Sequence, residues 1–234
     1  MRVLVDQRIN ENALSSLKSL GFEPILMPPS PLLQSGVSSH TDMLIFIGFG
    51  GIFCHASYYE ANKALIDEIA ENRLEIKVSN EQMSAEYPHD VLFNACILGS
   101  RLICNTKTAS RLILDAAEEN GYEIIHVPQG YTKCSICPID GNAAITSDIA
   151  ISKTLTCLGV DVLTVSEGHI SLPPYNYGFI GGASGCYIDK VFFCGSLSTH
   201  PDGKRISEFC QKHCKDAFDL SDQTLQDVGS LFFI

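Results

Sequence analysis

Hydrophobic positions between Asp90 and Gly130 change their spacing in a way that outlines one complete structural unit. Asp90-Val-Leu-Phe-Asn-Ala-Cys-Ile-Leu is dense in large apolar residues and reads as a strand. Gly99-Ser100 breaks it, and Arg101-Leu-Ile-Cys-Asn follows as a second strand after a tight turn. Thr108-Ala-Ser110 then supplies a helix start. Leu112, Leu114, Ala116 and Ala117 give the helix a rough apolar face, and Gly121 stands where a C-cap belongs. Tyr122-Glu-Ile-Ile-His-Val is a third strand, closed by Pro128-Gln129-Gly130. The unit is strand, strand, helix, strand.

The same order recurs along the chain, and such recurrence decides fold before any local signal does. Asp42-Met-Leu-Ile-Phe, Gly51-Ile-Phe-Cys, a helical run from Tyr58 to Asn72 and Leu74-Glu-Ile-Lys-Val make the preceding copy. Lys133-Cys-Ser-Ile-Cys-Pro-Ile, Asn142-Ala-Ala-Ile-Thr, Ile149 to Leu158 and Val160-Asp-Val-Leu-Thr-Val make the following one. Ser184-Gly-Cys-Tyr-Ile, Val191-Phe-Phe-Cys, Gly203 to His213 and Ala217-Phe-Asp-Leu make a fourth. Asp227-Val-Gly-Ser-Leu-Phe-Phe-Ile opens a fifth. The missing half of that copy lies at the other terminus, where Arg2-Val-Leu-Val-Asp, Asn12 to Leu20 and Phe22-Glu-Pro-Ile-Leu read as strand, helix, strand. The expected fold is therefore α/β: a five-bladed α/β-propeller of ββαβ units spanning residues 1–234 as a single domain, its ring closed by pairing the terminal strands. Closure removes the exposed sheet edges that an open array would carry.

Composition narrows the function classes. Sixteen basic against 27 acidic side chains give a formal net charge of −11, which repels phosphate backbones and anionic lipid, so neither nucleic acid nor a membrane surface is an expected partner. No apolar run approaches the roughly 20 residues of a membrane span. Met1-Arg-Val-Leu-Val-Asp reaches an acid too soon for a signal peptide, so a cytoplasmic location is expected. The ten cysteines do not read as a disulfide framework. Cys96, Cys104, Cys157, Cys186 and Cys194 sit in apolar runs and are expected to be buried free thiols.

Three connectors stand out. Pro28 to His40 is a Pro/Ser-rich crossing, Asn80 to Pro88 a second, and Gly168 to Gly182 the longest. In the last, Pro173-Pro-Tyr-Asn-Tyr-Gly-Phe-Ile-Gly-Gly interleaves glycines with aromatics, which suits close approach to a ligand or to another backbone. Gly48-Phe-Gly-Gly51 precedes a strand rather than a helix, so it reads as a hairpin turn and not a phosphate loop. Cys134-Ser-Ile-Cys137 is a lone C-x-x-C, weak as a zinc signal without a second pair, although Cys210, His213 and Cys214 could offer one. Asp202 is placed to cap the fourth helix, with His200 two residues before it. Nothing in the sequence calls for a metal or cofactor.

Equivalent positions in a ring of units converge on its axis. Asp42, Asp90, Lys133, Ser184 and Asp227 occupy the matching first-strand positions, so three carboxyls, an ammonium and a hydroxyl are expected around one cavity. Such a set suits a cationic or zwitterionic small molecule; taken one at a time, the same residues are strand starts meeting solvent or capping backbone.

This architecture resembles the guanidine-modifying enzyme superfamily of amidinotransferases, arginine and agmatine deiminases and dimethylarginine dimethylaminohydrolases. The stretch Asp90 to Asn105 is similar to the deiminase hairpin that presents an acidic or polar residue to a guanidinium. Gln129-Gly-Tyr-Thr-Lys-Cys-Ser, Tyr177-Gly-Phe-Ile-Gly-Gly-Ala-Ser-Gly and His200-Pro-Asp-Gly together resemble an uncharacterised bacterial family of that superfamily. The resemblance implies a nucleophilic cysteine in the final hairpin, where this chain has Asp227-Val-Gly-Ser230 and no cysteine after Cys214. It also implies a histidine near the start of the fourth hairpin, where none stands. Two readings follow. In one the chain acts on an amino- or guanidino-bearing metabolite, as a hydrolase or amidinotransferase-like enzyme. Asp42, Asp90 and Asp227 then hold the cation, Asn94 adds an amide, Lys133 takes a carboxylate, and Cys134 or Ser230 is the nucleophile. In the other it binds such a metabolite without catalysis.

Overall fold

In the computed structural model, which describes residues 1–71 and 73–234, the strands group into five three-stranded sheets. In chain order the elements are β1 (Arg2–Asp6), α1 (Glu11–Ser19) and β2 (Glu23–Met27), then α2 (Thr41–Leu44), β3 (Ile45–Gly48), β4 (Gly51–His55), α3 (Ala56–Ala61), α4 (Lys63–Ala70) and β5 (Glu75–Ser79). Next come β6 (Cys96–Leu98), β7 (Arg101–Cys104), α5 (Arg111–Glu119) and β8 (Glu123–His126), then α6 (Thr132–Ser135), β9 (Ile136–Asp140), β10 (Ala143–Thr146), α7 (Ile149–Cys157) and β11 (Asp161–Thr164). The last are β12 (Ser184–Tyr187), β13 (Lys190–Phe193), α8 (Gly203–Lys212), β14 (Asp216–Asp219) and β15 (Phe232–Phe233).

Each sheet is built alike. A hairpin pairs its first two strands antiparallel, as in β3–β4 and β12–β13, and a helix carries the chain over to a third strand parallel to the second. The crossover is needed because parallel neighbours cannot be joined by a tight turn. Helix α5 shows what holds such a crossover down: Ile113, Leu114, Ala116 and Ala117 are buried, the face read in the sequence with Ile113 in place of Leu112. The fifth sheet joins the termini. β1 pairs antiparallel with β15, Val3 opposite Phe233 and Leu4 opposite Phe232, and parallel with β2. Phe233 packs against Phe22, Tyr187 and Phe192 at ring-centroid distances of 5.0, 5.3 and 5.2 Å.

First strands of several sheets neighbour one another. β9 lies beside both β6 and β12, and β12 beside β15. At one end Ile47, Pro138, Gly185, Phe232 and Phe233 line a single cavity of about 230 Å³ with Lys133. Between neighbouring sheets, His213 bridges to Asp140 through Nδ1 (3.1 Å) and to Asp161 through Nε2 (2.8 Å).

Several sequence expectations shift in detail. Asp42 and Lys133 lie on the one-turn helices α2 and α6, not on strands; Asp90 precedes β6 and Asp227 precedes β15, so only Ser184 begins a strand. A short, consecutively apolar run fits a helical turn as well as a strand, and Met43-Leu-Ile-Phe46 is buried through that change of conformation. The helical run assigned from Tyr58 divides into α3 and α4, and its expected end at Asn72 falls outside the described residues. All ten cysteines are free; Cys96, Cys104 and Cys194 are buried, whereas Cys186 is half-buried and Cys157, at the last position of α7, is exposed. Asp202 holds the N-cap position of α8, but its side chain does not cap that helix. It accepts from Ser166 N at 2.7 Å and pairs with Arg205 instead. Cys134 sits on α6 and Cys137 on β9, both as buried free thiols. Among the described residues, no helix is long and apolar enough to cross a membrane.

Deleting Phe232–Ile234 removes β15 and its aromatic contacts together. The expected loss is about 3 kcal/mol or more, by comparison with large-to-small changes in cores, read as a lower denaturant midpoint and as aggregation of the uncovered β1 edge. An unchanged midpoint and a monodisperse truncated chain would contradict the role given to that pairing.

Candidate functional site

The turns that introduce the sheets bring six polar side chains from four parts of the chain into one buried cluster. Asn94 organises it. Its Oδ1 accepts from the backbone N–H of Lys133 (2.7 Å) and of Cys134 (3.2 Å), while its Nδ2 donates to Asp42 O (3.2 Å) and lies 3.1 Å from Cys134 Sγ. One amide therefore ties α2 to α6. The Cys134 thiol donates to Asp42 Oδ2 at 3.1 Å. Ser230 Oγ lies 2.8 Å from that same oxygen and 3.0 Å from Gly181 O, and accepts from Lys133 Nζ at 2.8 Å. Ser230 holds a left-handed backbone (φ 69°), and these three partners account for a conformation that serine otherwise avoids.

The segment Tyr177 to Gly182 closes over this cluster. Asp227 is enclosed by it: Oδ2 accepts from Phe179 N (2.8 Å) and Oδ1 from Gly229 N (3.0 Å). A side chain at position 182 would meet Asp227 Oδ1 at 2.0 Å, and one at 229 would meet His40 Cβ at 2.3 Å. Both glycines are thus fixed by close approach, one to the acid and one to the imidazole.

His40 completes the site. The sequence reading treated it as the end of a connector, because a histidine after Ser-Ser carries no spacing signal of its own. It is 1% exposed, and neither ring nitrogen has a hydrogen-bond partner. Nε2 lies 3.6 Å from Asp6 Oδ2 and Nδ1 lies 3.8 Å from Asp227 Oδ1. Asp6 is itself gripped by Arg8, whose Nε and terminal nitrogen reach its two oxygens at 3.0 and 2.6 Å. Donor atoms of His40, Asp42 and Cys134 all lie within 4.8 Å of one another.

A cavity of about 220 Å³ opens above these groups. His40, Cys134 and Asp227 lie in its lining, and its walls are largely apolar and aromatic, with Met43, Leu172, Tyr131, Tyr175, Tyr177 and Phe179. The volume lies below the roughly 300–1,000 Å³ of drug-sized pockets, so it suits a small metabolite. Burial pushes the Asp227 carboxyl up from its ordinary value, with Asp42 adding to the rise and His40 opposing it. Burial, followed by Asp42 and Asp227, pushes the Cys134 thiol well above its usual range, so it rests protonated at neutral pH.

The candidates named from the sequence divide accordingly. Asp42, Asn94, Lys133, Cys134 and Ser230 join through direct hydrogen bonds, and Asp227 lies beside them with its Oδ1 3.8 Å from His40 Nδ1. Lys133 points away from the aromatic cavity: its ammonium lies 5.7 Å from the Phe232 ring centre and lines the other cavity. Asp90 accepts from Tyr131 Oη at 2.6 Å, behind the cavity wall. Ser184 is buried and donates to Gly181 O at 3.2 Å, away from the carboxyls. Ser230 is fully buried, and its Oγ accepts from Lys133 Nζ.

Residues 4–232 match a family described as a family of unknown function (DUF6873). No curated protein matches the chain. Solved structures share its fold at low identity. A cysteine-to-serine mutant of DDAH from Pseudomonas aeruginosa, complexed with citrulline, aligns at a TM-score of 0.60 and 9% identity over 94% of this chain and 92% of that one. C. jejuni agmatine deiminase aligns at 0.55 and 9% identity, over 94% and 87%. An amidinotransferase of the saxitoxin biosynthetic pathway from Microseira wollei aligns at 0.56 and 10% identity, over 97% and 94%.

Asp90 offers a test of the electrostatics that avoids the cluster itself. Burial raises its pKa from 3.8, opposed by the Tyr131 hydrogen bond, and its Oδ1 has no partner. A raised carboxyl favours the folded state fully below its unfolded pKa and loses that contribution as pH climbs through the folded value. Asp90→Asn keeps an acceptor for Tyr131 and removes the titration. The variant should match the parent near pH 3.5 and become relatively more stable as pH rises to 7, measured by thermal melts. A variant that loses ground over that range would refute the assignment.

Proposed function

The chain belongs to this family of unknown function, DUF6873, and we propose that it binds a small amino- or guanidino-bearing metabolite in the aromatic-walled cavity and, where the ligand carries a guanidino group, acts on its amidino carbon. The observation that carries this reading is buried acid at and just behind the cavity lining: Asp227 lines it beside Cys134 and the aromatic faces, and Asp42, whose Oδ1 has no partner, lies behind Cys134. A cation held there meets carboxyl oxygens on one side and ring faces on the other, both attractive to it. The fold shared with deiminases and amidinotransferases supports the substrate class. In this reading the five sheets close into a five-bladed ring around the site, and Asn94 and Ser230 hold Asp42 in place.

Cys134 is the nucleophile in this proposal, with His40 as its base and Asp6 or Asp227 orienting the imidazole. The arriving cation offsets the acids that keep the thiol protonated and so favours the thiolate. Sγ gives its proton to His40 and bonds to the amidino carbon. The bond to the leaving amine then breaks, and that nitrogen takes the proton from His40. Water next displaces the sulfur and restores the thiol. The absence of a cysteine from the last hairpin favours a second reading, in which the pocket binds the same class of ligand and no reaction follows.

Thermal melts of the full chain with arginine, agmatine, citrulline and related compounds test the binding. A ligand at 100 times its Kd should stabilise the chain by about 2.7 kcal/mol. Asp42→Asn should lose that response while keeping a similar or higher melting temperature. Ammonia and urea released from any binding compound then separate the readings: product lost in Cys134→Ser but not in Ser230→Ala supports catalysis. No response to any cationic compound would reject the proposal.

A further inference from the structure

We infer that His40, Asp42 and Cys134 also form a three-ligand site for a thiophilic divalent cation, zinc foremost, with a fourth position open to the aromatic cavity. The residue types are those that zinc takes: an imidazole nitrogen, a carboxyl oxygen and a thiolate sulfur. Their donor atoms lie within 4.8 Å of one another, and all three residues are buried. Metal bonds of about 2.0–2.3 Å need these atoms to draw somewhat closer than that limit. The Cys134–Asp42 pair, at 3.1 Å, is already close enough.

A second observation points to a ligand independently. The His40 nitrogens and Asp42 Oδ1 are buried polar atoms without partners, a costly arrangement unless something satisfies them. His40 is placed as metal-binding imidazoles are: whichever nitrogen meets the metal, the other faces a carboxyl, Asp6 on one side or Asp227 on the other. Such an outer carboxyl fixes the ring and strengthens it as a ligand. The surroundings supply charge of the right sign, since Asp6, Asp42 and Asp227 are each 2% exposed or less. The thiol gives up its proton to solvent on binding and becomes the third ligand. Sulfur and imidazole together disfavour magnesium and calcium, which prefer all-oxygen shells.

The inference does not depend on the proposed reaction, yet it bears on it. Metal and cationic metabolite would compete, because both require Asp42 and Cys134. Zinc would then switch the site off and hold the thiol against oxidation.

The test uses the full chain carrying Cys157→Ser and Cys214→Ser, which removes the two exposed thiols. The protein is reduced, stripped with a chelator, and titrated with Zn²⁺ against a chromophoric competitor. One ion should bind per chain. Co²⁺ in its place should give a sulfur-to-metal charge-transfer band and the intense visible bands of a four-coordinate centre. Cys134→Ser and His40→Gln should each weaken zinc by about 100-fold or more, as expected for loss of a direct ligand, and Cys134→Ser should abolish the charge-transfer band. Cys137→Ser, which changes the neighbouring thiol of the C-x-x-C, should leave both readouts intact. Zinc binding that survives Cys134→Ser, or no binding by the parent, overturns the inference. If His40→Gln fails to fold, the near-isosteric Cys134→Ser decides alone. A stripped chain that binds guanidino compounds but not zinc rejects the metal and leaves the proposed function standing. A chain that binds zinc but no such compound does the reverse.

Discussion

Buried acid without matching base is the constraint around which the centre of this molecule is arranged. Asp6, Asp42 and Asp227 are all but sealed from water. Among the described residues Arg8 pairs with the first, and no arginine or lysine nitrogen pairs with the other two. Lys133 donates to Ser230 rather than to any of these acids. Taking an unpaired carboxylate out of water costs several kcal/mol even after relaxation. The protein meets that cost in part with backbone donors, as at Asp227, and in part with a thiol and a hydroxyl, as at Asp42. Burial also pushes the Asp227 carboxyl up, which lowers the cost by favouring its neutral form.

Precision at the site comes from backbone rather than from side-chain bulk. Asn94 reads the amides of α6 and the carbonyl of α2 at once, so two sheets cannot slide without breaking it. The glycine-rich segment adds a lid of main chain: Gly182 N donates to Cys134 O, and Gly182 O accepts from both Val228 N and Ser230 N. Cys134 and Ser230 are therefore both tied to the backbone of one residue, Gly182. Rigid placement of this kind is what orienting a reacting or ligating atom requires.

Much of this was legible in the sequence. The recurrence of strand, strand, helix and strand identified all five sheets, because apolar spacing is the strongest local signal and repetition multiplies it. Turn chemistry at Gly99 and Gly121 marked the limits of one of them. Asp42, Asn94, Lys133, Cys134 and Ser230 were all named beforehand. The sequence did not show that Lys133 and Cys134 ride on a helical turn, so that one side chain faces each cavity. Nor did it show His40, whose role depends on packing against Gly229, almost 190 residues away. Cys157 was misjudged because its apolar neighbours say nothing about which way the last residue of a helix faces.

The pairing of Val3 with Phe233 has a consequence for how the chain reaches this state. The other four sheets are each assembled from one continuous stretch of sequence, so each can gain its pairings over short loops. The sheet that contains β1 cannot. Its strand must wait for a partner from the far end, and the entropy of closing so long a loop is repaid only once the intervening sheets have already brought the ends together. Until then β1 presents an open edge of apolar backbone, the surface most able to recruit a second chain. The centre inherits that order, since Asp6 at the end of β1 and Ser230 just before β15 arrive with the last sheet. A chain arrested short of that step would have four sheets in place and a floor still missing two of its groups.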